Sequence, residues 1–106
     1  MGKTILHVES RPAGPDQAAE FNRWYDEVHL PQMLSIDGVV TARRYAPTEA
    51  RGPYIAIYEI EGDPDAVLAD VGAAATDGRL TMSDAVQTDP RPKIRVMKLI
   101  TDTVPD

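Results

Sequence analysis

Two periods alternate along the chain, and the switches between them mark out its elements. Ile5-Leu6-His7-Val8-Glu9 is a short run of β-type residues, ended by the breakers in Ser10-Arg11-Pro12-Ala13-Gly14-Pro15. The period then changes: Phe21, Trp24, Tyr25 and Val28 fall at i, i+3, i+4 and i+7, one apolar stripe on a helix. Pro15 suits a first helical position, and Asp16 and Glu20 put negative charge near the positive end of the helix dipole. The pattern predicts a helix from Pro15 or Asp16 to about His29. Pro31 perturbs it there, since its ring clashes with the carbonyl of residue 27, and a further turn follows at Gln32-Met33-Leu34. Asp37-Gly38 is a turn signal.

Val39 to Tyr45 reads as a second strand, residues 46 to 53 as a loop, and Tyr54 to Glu61 as the clearest strand, rich in β-branched and aromatic residues. Gly62-Asp63-Pro64-Asp65 opens a second helix that Asp77-Gly78 closes. Residues 79 to 92 favour neither period, although Met82 to Val86 could form a short helix. Lys93 to Ile100 is a last strand, followed by a polar tail. The order β-α-β-β-α-β predicts an α+β fold of ferredoxin-like type: one domain over residues 1 to 106, a four-stranded antiparallel sheet, and both helices on one face. Tyr54, Ala56, Tyr58 and Ile60 point to one side of their strand, but Ile55 and Ile57 point to the other. Ile94, Val96 and Ile100 oppose Met97 and Leu99 in the same way. Helices cover one face only, so the other is expected to pair with a second copy, sheet to sheet, in a two-fold homodimer.

Composition narrows the function classes. The chain has no cysteine, so disulfides, thiolate nucleophiles and cysteine metal sites are out. A net charge of −6 disfavours nucleic acid as a partner. The apolar run after Met1-Gly2-Lys3-Thr4 is too short for a signal peptide or a spanning helix, so a soluble, cytoplasmic protein without a membrane partner is expected. Two His with no His-x-x-x-His give no metal pattern, and neither a phosphate loop nor a dinucleotide fingerprint is present. Chemistry, if any, should be cofactor-free acid–base work on a small, largely apolar molecule.

The candidate residues crowd into Phe21 to Pro31, which holds the only Trp, the only Phe, one of two His and one of four Tyr. His29 is the candidate general acid or base, its ordinary pKa lying near working pH; the competing role is to satisfy helix-end carbonyls beside Pro31. Tyr25 lies one turn before it and Asp26 at i−3, so either could hold the imidazole's tautomer. His7, in a central strand, is either a hydrogen-bonded core or interface residue or a second acid–base candidate lining a pocket. Trp24, Tyr45, Tyr58 and Met33 are the candidates to touch a substrate, though Trp24 also belongs to the buried stripe and the strand tyrosines, Tyr54 included, also pack on the sheet. Arg43 and Arg44 point to opposite faces, one as a surface charge, the other to pair with a carboxylate or an anion.

These residues also carry a resemblance. Phe21-Asn22-x-Trp24-Tyr25-x-x-x-His29-x-Pro31, then Asp37-Gly38-Val39 and Ala42-Arg43-Arg44-Tyr45, resembles the EthD-like branch of the dimeric α/β-barrel superfamily. The likeness covers residues 20 to 45, and the strand order extends it; residues 62 to 92 carry no specific match. The resemblance implies a ferredoxin-like unit dimerised sheet to sheet. It also implies a pocket between sheet and helices, with His29 as acid or base, Asp26 and Tyr25 in support and His7 as a second candidate. Among such proteins are polyketide cyclases, isomerases, lyases, cofactor-independent monooxygenases, haem-degrading enzymes and many of unknown role. The expectation is a cofactor-independent lyase, isomerase or cyclase acting on an aromatic or polyketide-like molecule. The alternatives are a non-catalytic binding or accessory protein, a cofactor-free monooxygenase, or a haem-binding protein using His29 or His7 as axial ligand.

Overall fold

A computed structural model describes residues 3–104; Met1, Gly2 and the last two residues of the polar tail lie outside the described residues. Four strands, β1 (Thr4–Ser10), β2 (Val39–Tyr45), β3 (Tyr54–Ile60) and β4 (Lys93–Lys98), form one sheet in the order β2-β3-β1-β4, every neighbouring pair antiparallel. Helical residues come in two places. The first begins with a 3₁₀ turn (Pro15–Gln17) and continues through α1 (Ala18–Trp24), a π-helical turn (Tyr25–His29) and α2 (Leu30–Leu34); the second is α3 (Pro64–Asp77). This is an α+β domain with a four-stranded antiparallel sheet, compatible with a ferredoxin-like arrangement. Among the described residues no helix is long and apolar enough to cross a membrane.

The predicted strands and helices appear within a residue or two, with two differences. The first helix does not stop near His29. It runs on through Pro31 because the intervening turn widens: the Leu30 N–H donates to the Tyr25 carbonyl, an i→i+5 bond, and Pro31 then enters α2 in its first turn, where no N–H is required. The second difference is that Met82 to Val86 form a turn and an isolated bridge to Pro12, not a helix. Residues 79 to 92 are irregular yet tied down. Leu80 donates to the Ala74 carbonyl, Gln87 to Arg11 and Ala13 to Ala85, and Trp24 Nε1 donates to the Thr81 carbonyl at 2.8 Å.

Cross-strand register assigns the faces, because partners share a side of the sheet. Leu6, Ser10, Tyr54, Ala56, Tyr58 and Ile60 look toward the helices, together with Val39, Ala42 and Arg44 from β2. The core lies between them and Phe21, Trp24, Tyr25, Met33, Ile36, Val67 and Ala74, all buried. Val28, last of the predicted stripe, is only partly buried, since the wide turn rotates it away from the line of the other three. Ile5, His7, Ile57, Arg43, Arg95 and Met97 share the opposite, open face. The shortest dimension, 23 Å, fits one sheet with one helical layer. A β-bulge at Val39/Thr41 leaves Val40 unpaired and exposed, and it decides which β2 residues face inward. Gly38 seats α3 against the start of β2: its φ is +93°, and a Cβ there would lie 2.5 Å from Val67 Cγ2.

Candidate functional site

The widened turn presents a sequence of aromatic rings in a fixed order. His29 stacks on Trp24 with ring centroids 4.5 Å apart and planes 22° from parallel, and it meets the edge of Tyr25 at 5.1 Å. Tyr25 also makes edge contacts with Trp24 at 4.9 Å and Phe21 at 5.2 Å. Phe21 in turn meets Tyr54 of β3 at 5.0 Å. Aromatic residues at helical spacing bury this way because large rings gain most by leaving water and prefer edge contact to face-to-face overlap.

Arg44 enters this cluster from β2. Its guanidinium lies 4.5 Å from the Tyr25 ring centroid and 5.6 Å from those of Phe21 and Tyr54. Its nitrogens donate to Asp26 Oδ1 and Asn22 Oδ1, each at 2.8 Å. The side chain of Arg44 is 13% exposed against 61% for Asp26, so the cation sits inside and its carboxylate partner at the rim. Asp26 was expected to orient His29; the structure instead commits it to Arg44, the wide turn having moved it off the imidazole's side. Arg43 faces the other way and pairs with Glu59 at 3.0 Å, which is the divergence expected of the doublet.

Burial sets the protonation states. Desolvation, reinforced by the nearby Arg44 cation, lowers the His29 pKa to about 4, so the imidazole is neutral at neutral pH. Its Nδ1 is buried and has no partner among the described residues. Desolvation likewise raises the phenol pKa of Tyr25, against the opposing effect of its contact with Ser10 Oγ at 3.3 Å and of Arg44. The phenol of Tyr58 is pushed far up by burial, then by Tyr25, and its hydroxyl too is buried without a partner. The cluster therefore combines a neutral imidazole, two protonated phenols and one well-buried cation.

The other expected site residues are dispersed. His7 is on the open face, opposite Ile57 and Arg95, because its neighbour Leu6 takes the inward position; the sheet separates it from His29. Tyr45 is 52% exposed on that same open face. Met33 and Tyr58 are core residues, and Trp24 serves as the stacking partner of His29. Sequence reasoning passed over Ser10, which read only as a strand breaker; nothing local signals that its hydroxyl meets a tyrosine fifteen residues on.

Four surface cavities stand out, and His29 lines none of them. Two of them back onto the cluster: one of about 140 Å³ reaches Ser10, and one of about 600 Å³ is walled by Tyr54. No group of three His, Asp or Glu side chains that could hold a metal ion occurs among the described residues. The chain matches no family model and no curated protein.

Proposed function

We propose that this chain is a cofactor-independent acid–base enzyme, a lyase, isomerase or cyclase of EthD-like type, acting on a small hydrophobic molecule between sheet and helices. The observation that carries the reading is that two of the four buried side-chain polar atoms found without a partner among the described residues, His29 Nδ1 and the Tyr58 hydroxyl, lie on the helix side of the sheet, the other two being His7 Nδ1 and Thr41 Oγ1. A buried polar group left unpaired costs about 1–3 kcal/mol, and a core selected for stability alone pairs such groups. In this reading neutral His29 accepts a proton from an acidic C–H or O–H of the substrate. The phenols of Tyr25 and Tyr58 donate to the oxygen on which negative charge develops, and Arg44 stabilises that charge. The same developing charge raises the affinity of His29 for the proton that it takes.

The test is incorporation of deuterium from heavy water into a panel of aromatic ketones and β-dicarbonyl compounds, followed by NMR. The wild type accelerates exchange for at least one member, and His29→Ala lowers that rate by roughly 10²- to 10⁴-fold with the fold retained. A His29→Ala protein as active as the wild type sinks the reading.

A second reading, a non-catalytic binding protein, draws on two observations: His29 lines none of the four cavities, and Asp26 is engaged by Arg44. A wild type that quenches Trp24 fluorescence on adding panel compounds, yet exchanges none of their protons, supports it. In either reading a second copy covers the open sheet face. A groove of about 430 Å³ lined by Ile5, Met97 and Leu99 lies there, with Met97 and Leu99 exposed.

A further inference from the structure

The end of the sheet where β1 terminates carries two concave sites that share a wall, Arg11 and Gln87. The smaller, about 140 Å³, is half polar: beside Pro90 and Pro92 it is lined by Ser10 and by Gln87, whose amide donates to the Asp89 carbonyl, while Arg11, Arg91 and Lys93 contribute positive charge against the single lining carboxylate of Glu9. Glu9 and Lys93 are cross-strand partners and offset each other, which leaves Arg11 and Arg91 in excess. The larger, about 600 Å³, is mostly apolar, its walls built from Pro12, Pro15, Ala18, Pro47 and the Tyr54 ring. Arg51 and Glu49, both on its loop side, balance in charge. In a chain of net charge −6 this end therefore concentrates cations beside an apolar hollow.

The walls are held by hydrogen bonds. Arg11 Nη1 donates to the Arg51 carbonyl and so ties the end of β1 to the β2–β3 loop. The Gln87 N–H donates to the Arg11 carbonyl at 2.9 Å, and the Ala13 N–H to the Ala85 carbonyl. Volume is also suitable, since small-molecule sites run to about 300–1,000 Å³ and combine apolar walls with a few fixed polar groups. Each hollow shares one wall residue with the surroundings of the aromatic cluster. Ser10, 5% exposed, contacts Tyr25, and Tyr54 touches Phe21 and Arg44.

From this we infer that the paired cavities form a binding site for an organic carboxylate. Its anionic group sits by Arg11 and Arg91, and its apolar, aromatic body lies against the proline wall and Tyr54. This binding goes beyond the proposed reaction and does not depend on it, since His29 lines neither cavity. A guanidinium donates two parallel N–H groups that match a carboxylate, so the acid is favoured over its uncharged amide. The occupied site places the ligand against Ser10, which contacts Tyr25, and Tyr54, which contacts Arg44.

The experiment titrates the full chain with 1-naphthoate and, separately, with 1-naphthamide, following amide shifts by NMR. Expected is saturable binding of the acid, with shifts concentrated in residues 10–15, 47–54 and 87–93, and affinity for the amide at least about tenfold weaker. Arg91→Gln, at an exposed loop position, weakens the acid about three- to tenfold and leaves the amide unchanged. Arg11→Gln does so more strongly but also cuts the tie to Arg51, so Arg91→Gln is the cleaner variant. Equal affinity for acid and amide, no saturable binding of either at millimolar concentration, or shifts confined to the open sheet face each overturn the inference. If naphthoate binds here while no proton exchange is found with any compound of the ketone panel, the enzyme reading fails and the carboxylate site stands. If exchange is found but naphthoate does not bind, the site falls and the enzyme reading stands.

Discussion

Acidification should act on this fold through His29, and the size of the effect follows from its burial. The unfolded chain takes up the imidazole proton as pH falls through 6.5, whereas the folded protein refuses it until about 4. Between those values the unfolded state binds more protons, so stability falls as pH is lowered across that window, and the loss is complete below about 4. At ~1.4 kcal/mol per pH unit the whole effect is on the order of 3 kcal/mol, a large share of the 5–15 kcal/mol that holds a domain folded. Other groups also respond to acid: the carboxylates of Glu20, Glu59 and Asp77, held low chiefly by hydrogen bonds from Arg23, Arg43 and Arg79, lose their partners' benefit. A comparison with His29→Gln removes them, since both proteins carry them equally. Urea unfolding followed by far-ultraviolet circular dichroism, at one protein concentration and at pH 7, 6, 5 and 4, gives the difference in stability between the two. That difference should shift against the wild type by about 3 kcal/mol from pH 7 to pH 4. Parallel curves, or an imidazole titrating at 6.5 or above by NMR, would refute a buried neutral His29.

Further expectations can be checked directly. Asp26→Asn should not raise the His29 titration midpoint, because Asp26 neutralises Arg44 and its loss leaves the cation's lowering effect at full strength; an upward move by NMR would contradict that pairing. Gly38→Ala should cost about 1–3 kcal/mol in thermal or urea unfolding, from the positive φ and the collision with Val67, and a neutral substitution would contradict that seating of α3. Sedimentation at low micromolar concentration should give a dimer that Ile57→Glu dissociates; a wild type running as an 11.6 kDa species ends the sheet-to-sheet proposal. In hydrogen exchange the amides of Met82, Asp84 and Thr88 should be faster than those of Tyr54 to Ile60, while Leu80 and Gln87, which donate to Ala74 and Arg11, lag behind their neighbours.

The elements were legible because their signals are local. The Phe21-Trp24-Tyr25 spacing, the β-branched run from Tyr54 and the breakers around Gly62 and Gly78 each act within a few residues. The Pro31 disruption was misjudged because a proline's clash assumes α geometry, and a single i→i+5 turn ahead of it removes the clash. The same wide turn took Asp26 away from His29. His7 depended on which side of β1 faces the helices, and a strand with apolar residues on both sides does not declare that. The placement of Arg44 needed the bulge in β2, a feature of pairing with β3 that no residue in β2 announces. Ser10 and the two cavities at the end of β1 arise from segments far apart in the chain, so only tertiary structure could assemble them.

The bulge and the arginine doublet together make the interior charge indifferent to a slip of the strand. With the bulge at Val39/Thr41, Arg44 stands opposite Ala56. Were the extra residue to migrate toward the β2–β3 loop, the pairing from Val39 onward would advance by one, and Arg43 would stand opposite Ala56 in its place. Thr41 would replace Ala42 against Tyr58, a modest change, while a guanidinium would still point at the same aromatic rings. An ordinary strand loses every inward side chain to the wrong face in such a shift. Here a repeated residue type acts as insurance against frame errors, and β2 could acquire or lose length at its loop end over generations without the buried cation being lost.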